Sequence, residues 1–332
     1  MPLTAKPAVL KPPPLPRGGT IGIVAPASNI QPRLLDAGCV ALRQLGYTPF
    51  FLESIFDQDL YFAGSVQRRA RELEQMFERE DVHAIVCARG GYGCNYLLQE
   101  LNLEKIAGHP KIFVGYSDVT TLLTWFADAA RLVTFHGPMV TKDFAAEDGL
   151  HVPSWAAATV GKERWEIAPV PGSGLTPLVK GRAEGILYGG CLSLLVASLG
   201  TPYEIKTEGT ILFIEDVNVK PFQVDRMLMQ LKLAGKLEGV RGLLFGEMPG
   251  CQQQPEQPYT LGQVLKRVVG DLGIPVAYGL RSGHVERENI TLPIGVRAAL
   301  DVKDEVRLAV LEAASIAQPA AKPAAPAAAP QP

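Results

Sequence analysis

The chain has 332 residues, 47% of them hydrophobic and 20% charged, with a formal net charge of −2 and five scattered cysteines. That length suits about two domains with large cores, and the lack of any basic excess argues against a nucleic-acid partner. Cys39, Cys87, Cys94, Cys191 and Cys251 show no CxxC spacing, and no run approaches the roughly 18 apolar residues of a membrane span. The sequence therefore reads as a cytoplasmic protein with reduced thiols and neither a disulfide framework nor a zinc site.

Residues 1–17 are proline-broken and residues 313–332 are rich in Pro and Ala, so both ends are expected to be flexible. Residues 20–25 form an apolar strand ending in Pro26-Ala27-Ser28; a helix over 33–45, a strand over 48–52 and a helix over 66–79 follow. Within that helix Arg68-Arg69-Ala70-Arg71 precedes Glu72, Glu74, Glu78 and Glu80, which reads as a solvated face. Residues 84–88 are a buried strand ending in Arg89-Gly90-Gly91-Tyr92-Gly93, and strands follow over 112–114 and 132–135. This alternation predicts an N-terminal α/β domain, residues 18–140, on a mostly parallel sheet with functional loops at the strands' carboxyl ends. The pattern loosens over 141–176, read as a linker or lid. Residues 177–312 are expected to form a smaller, strand-rich mixed α/β domain.

One stretch, KIFVGYSDV at 111–119, carries chemistry. An apolar strand meets Gly115-Tyr116-Ser117-Asp118 and a helical pattern, the form of a nucleophile elbow, although Val119 replaces the second glycine of the usual hydrolase turn. The alternative is that Ser117 merely caps the helix. A nucleophilic serine needs a base, and that base needs a carboxylate to orient it. His83 and His109 fall near strand starts and His151 in the linker, whereas His136 ends a strand and His284 follows Gly283 in a loop after the strand 276–280. A histidine in such a loop suits a base that must aim its ring. The strand 210–215 ends in Glu215-Asp216, costly to bury unless paired; either acid could instead cap the next segment.

Gly-Ile-Val-Ala-Pro-Ala-Ser (22–28), Arg-Gly-Gly-Tyr-Gly (89–93), Gly-Tyr-Ser-Asp-Val-Thr (115–120), Phe-His-Gly-Pro-Met (135–139), Gly-Gly-Cys-Leu-Ser-Leu-Leu (189–195), Ile-Glu-Asp-Val (214–217) and Gly-His (283–284) with Leu-Pro-Ile-Gly (292–295) occur in this order. Together they resemble the LD-carboxypeptidase family, the muramoyltetrapeptide carboxypeptidases, which includes the microcin C immunity peptidases. The resemblance runs over about residues 18–310. It implies a Ser-Glu-His triad split across two domains, with Ser117 as nucleophile, Glu215 as orienting carboxylate and His284 as general base. The oxyanion hole would be the backbone N–H groups of Asp118 and Gly91. It further implies a cytoplasmic homodimer, no metal or organic cofactor, and murein tetrapeptide as the substrate, cut at its terminal D-alanine for peptidoglycan recycling.

Two departures from the family pattern stand out: Val219 lies where a second acid often follows Glu-Asp, and the stretch 283–292 is about one residue longer. Two other classes remain. An immunity-type peptidase would cut an aminoacyl-nucleotide amide with the same triad, using Trp155 and Trp165 to stack a base. A non-enzymatic nucleotide-binding protein would cradle a phosphate with residues 89–93, although that loop lacks GxGxxG and GK[ST] spacing.

Overall fold

Short apolar strands alternating with amphipathic helices build the first part of the molecule. The structure is a computed structural model and describes residues 9–167 and 175–317. In chain order come β1 (Thr20–Val24), α1 (Pro32–Gln44), β2 (Thr48–Phe50), α2 (Val66–Glu78), β3 (Ala84–Cys87), α3 (Leu103–Gly108), β4 (Ile112–Gly115), α4 (Thr120–Trp125) and β5 (Thr134–His136). β3 and β4 are buried at every residue, as strands covered on both faces must be. α2 starts at Ser65, whose hydroxyl accepts from Arg68 N, and buries Leu73, Met76 and Phe77 on one face.

The stretch 141–176 is more ordered than its composition suggests. It holds α5 (Val152–Thr159) and β6 (Trp165–Ile167), while residues 168–174 lie outside the described residues. Trp155 and Trp165 are both core residues, Trp155 standing edge-on to Tyr47 and Phe144, so neither presents a stacking face. Burial of so large an apolar surface outweighs the loop-forming residues around it.

After it come β7 (Thr176–Val179), β8 (Gly181–Cys191), α6 (Leu192–Ala197), β9 (Thr210–Glu215), α7 (Pro221–Leu233), β10 (Gly242–Gly246), α8 (Leu261–Val269), β11 (Val276–Leu280), β12 (Leu292–Ile294), β13 (Arg297–Val302) and β14 (Val306–Val310). Two sheets result. The first has the order β12-β5-β4-β3-β1-β2, all parallel except β12. The second has eight strands in the order β6-β14-β13-β8-β9-β10-β11-β7, with parallel β8 to β11 flanked by antiparallel strands. The protein is thus a two-sheet α/β molecule. The chain passes between the sheets more than once; at the crossing after β11 it leaves the second sheet, and β12 pairs antiparallel with β5, Leu292 opposite His136 and Ile294 opposite Thr134.

The expected flexibility of the ends does not extend to their inner residues. Leu15 is buried and its N–H donates to Thr159 O at 2.9 Å, Lys11 pairs with Glu312 at 2.7 Å, and Ile316 N donates to Pro12 O at 2.9 Å. A proline-rich segment without its own ladder can still bury its apolar side chains and satisfy its backbone on a neighbour. Residues 1–8 and 318–332, the rest of those ends, lie outside the described residues. All five cysteines are free and buried. Among the described residues no helix is long and apolar enough to cross a membrane, and no group of three or more His, Cys, Asp or Glu could hold a metal ion.

Candidate active site

β4 ends at Gly115, and two residues later Ser117 sits at φ +63°, a left-handed conformation that is strained for a residue with a side chain. Ser117 does not cap the helix: Tyr116 occupies the cap position and no side-chain cap bond forms. Its hydroxyl lies instead 3.0 Å from His284 Nε2. The loop after β3 runs hard against this turn. A Cβ on Gly90 would fall 2.7 Å from Ser117 Cβ and 3.3 Å from Asp118 N, so only glycine fits there. Gly91 lies one residue on, its α-carbon against Ser28. The Asp118 side chain is buried, accepting from Cys94 N at 2.7 Å. Burial raises its pKa, and the Cys94 N–H offsets part of that.

His284 comes from the crossing between β11 and β12. Its Nδ1 is 2.7 Å from Glu215 Oε2, and its backbone N–H donates to the same oxygen at 3.1 Å. A proton on Nδ1 facing the carboxylate leaves the Nε2 lone pair for the Ser117 hydroxyl. Gly283, at φ +93°, passes so close that a Cβ would lie 2.6 Å from Glu215 Cδ. Asn289 grips that glycine on both sides, accepting from its N–H at 3.0 Å and donating to its C=O at 3.1 Å. Burial alone would raise the pKa of Glu215; the imidazoles of His284 and then His136 beside it outweigh burial and hold the carboxyl well below the ordinary range. The neighbouring acid does the capping work. Asp216 accepts from Ser193 N, at the start of α6, at 2.9 Å and from Val217 N at 2.8 Å.

Comparison with known proteins bears on this cluster. A family model described as the LD-carboxypeptidase N-terminal domain matches residues 21–137, and one described as the LD-carboxypeptidase C-terminal domain matches residues 184–300. The chain belongs to the LD-carboxypeptidase family. It is a carboxypeptidase of the serine type. A probable murein peptide carboxypeptidase of Bacillus subtilis is 39% identical over 304 residues, covering 91% of this chain and 94% of the relative. The crystal structure of a muramoyltetrapeptide carboxypeptidase from Oxalobacter formigenes has a TM-score of 0.78 at 29% identity, covering 88% of this chain and 98% of that one. The microcin C7 self immunity protein MccF, solved in complex with aspartyl sulfamoyl adenosine, has a TM-score of 0.86 at 25% identity, covering 92% and 100%.

In this LD-carboxypeptidase His284 lies within hydrogen-bond reach of Ser117 on one side and of Glu215 on the other, and the Asp118 N–H lies against the loop that carries Gly91. His83, His109 and His151 serve local backbone contacts elsewhere, His151 accepting from Ser154 N at the start of α5. Arg69 corrects the reading of a solvated basic face. It is buried, donating through Nη1 to Pro26 O at 2.6 Å and Gly93 O at 2.9 Å, and through Nε to Gly64 O at 3.2 Å. One guanidinium thus ties the loop after β1 to the loop after β3, beside Ser117. Its position was readable: Arg69, Leu73, Met76 and Phe77 have the i, i+4, i+7, i+8 spacing of one buried face. Asn289 carried no such signal, because a loop asparagine declares its partner only in three dimensions.

Proposed function

We propose that the protein removes terminal D-alanine from murein tetrapeptides, with Ser117 as nucleophile, His284 as general base and Glu215 as orienting carboxylate. The observation that carries this reading is the unbroken chain from Ser117 Oγ to His284 Nε2, at 3.0 Å, and from His284 Nδ1 to Glu215 Oε2, at 2.7 Å. Relatives named for murein peptide and muramoyltetrapeptide cleavage support the substrate class. Ser117 Oγ attacks the carbonyl of the diamino acid while His284 takes its proton. The C–N bond to D-alanine breaks as His284 returns that proton to the leaving nitrogen. Water, giving a proton to His284, then attacks the acyl carbon; the ester C–O bond breaks, the shortened peptide leaves as the acid, and His284 returns the proton to Ser117 Oγ. Glu215 holds the imidazole tautomer and offsets the imidazolium charge. The N–H of Asp118, in a first turn that offers it no partner, and the N–H of Gly91 receive the oxyanion. These steps draw on the side chains and backbone of this chain alone, and a cytoplasmic homodimer acting in peptidoglycan recycling is the matching cellular reading.

The 0.86 TM-score with MccF favours a second reading, cleavage of an aminoacyl-nucleotide amide by the same triad. Its sequence support is weaker, since Trp155 and Trp165 are buried. Phosphate cradling by residues 89–93 meets an obstacle too: the Tyr92 N–H is already taken by the Ser28 hydroxyl at 3.1 Å. Incubation with murein tetrapeptide and, separately, with an aminoacyl-sulfamoyl adenylate, each read by mass spectrometry, tests all three. Release of D-alanine is expected; turnover of the adenylate alone would favour the second reading, and turnover of neither would overturn both.

A further inference from the structure

His136, at the carboxyl end of β5, is fully buried, edge-on to Phe213 with ring centroids 5.0 Å apart and tilted against Tyr116 at 5.9 Å. Its two ring nitrogens meet different partners. Nδ1 lies 3.1 Å from Ser282 Oγ, and Ser282 lies 2.8 Å from the carbonyl of Ile290. A carbonyl only accepts, so the single hydroxyl proton of Ser282 is committed to it. The Ser282 oxygen must then accept from His136, and Nδ1 carries a proton. On the other side Nε2 faces Glu215 Oε1 at 3.7 Å, too long for a hydrogen bond, and neither buried atom has another partner. A neutral ring would aim a lone pair at a carboxylate oxygen; an imidazolium aims an N–H there.

We propose that His136 is a positioning residue, held as an imidazolium against Glu215 Oε1, which keeps that carboxylate ionised and turned so that Oε2 meets His284. The proposal rests on the Ser117–His284–Glu215 reading. Each oxygen of Glu215 then has its own histidine. Other titratable groups around the pair are Tyr116 from the turn after β4, with Asp143 behind it, and Cys191 and Asp216 on the side of β8 and β9. Burial raises the Tyr116 phenol and the Cys191 thiol, so both stay neutral and Glu215 is the anion nearest His136. A fixed positive charge here also offsets part of the carboxylate's pull on His284.

The direct test needs no substrate. Histidine-labelled protein is examined by long-range ¹H–¹⁵N NMR at pH 8, where ordinary histidines are neutral. The expected result is one imidazolium, lost in His136→Gln and retained in His284→Ala. Five neutral rings, or an imidazolium lost only in His284→Ala, would overturn the proposal, and the spectrum of the unmodified protein decides if His136→Gln fails to fold. In kinetics, folded His136→Gln should move the acid limb of kcat/KM up by about one pH unit with KM little changed. An unmoved limb would count against the charge. Undiminished D-alanine release by Ser117→Ala would overturn the triad itself while leaving the spectral outcome for His136 intact.

Discussion

The two rims of the site hold their residues by different means. On the first sheet, Ser117 is held mainly by the backbone: a strained turn and a glycine loop pressed against it, with the buried Arg69 guanidinium bonding one carbonyl in each of the loops after β1 and β3 and that of Gly64 before α2. On the second, His284 is fixed by side chains: Glu215 on the ring, Asn289 on the preceding glycine, and the short pairing of β12 with β5. Backbone restraint couples Ser117 to global stability. Side-chain restraint lets His284 be disturbed while the fold persists. Mutations on the two rims should therefore separate activity from stability.

The largest effect joins the rims. Ser117→Ala and His284→Ala should each lower kcat by about 10⁴-fold, and the double variant should be scarcely worse, because both serve one step. Multiplicative losses in D-alanine release would mean that they act apart. Next comes Gly283→Ala, which drives a methyl into Glu215 at a positive φ. A kcat loss of about 10²-fold is expected with most of the melting temperature retained; a protein that loses stability but not rate would break the contrast.

Arg69→Met should do the reverse. It strips Pro26 O and Gly64 O of the guanidinium donor and leaves Gly93 O only the Tyr96 N–H, at a cost of about 2–4 kcal/mol by chemical denaturation, with a smaller loss of rate. An unchanged unfolding midpoint would show that the loops hold without it.

The smallest effect lies between the sheets, where Tyr188 of β8 donates to Asp128 at 2.7 Å. Burial pushes the Asp128 carboxyl from 3.8 up to about 6. Because the folded state holds that proton more tightly than the unfolded chain, stability from this group is present at low pH and lost as pH rises from about 4 to about 6. Asp128→Asn should gain on the parent by on the order of 1 kcal/mol across that window in paired melts. A pH-independent difference would contradict the raised pKa.

Much of this was legible in the chain. β1, β3 and β4 are apolar runs with turn residues after them, and their period and punctuation need no partner to be read. The elbow was legible for the same reason, as a local strand, turn and helix. β6 and β12, three residues each, were not: Leu292-Pro293-Ile294 becomes a strand only because β5 offers an edge. Arg69 was misread because charge suggested solvent, although its spacing belonged to the buried face.

The sequence by itself determined which chemical groups exist and where short-range rules apply: a serine in a tight turn, two acids at a strand end, a histidine after a glycine. Only the tertiary structure decided which acid meets which histidine. Glu215 rather than Asp216 faces His284, and His136 stands on the other oxygen, because β8, β9 and β11 deliver their ends to the edge where β4 and β5 finish. Contacts between residues 167 positions apart, as Ser117 and His284 are, depend on how two sheets pack, and no local propensity encodes that distance.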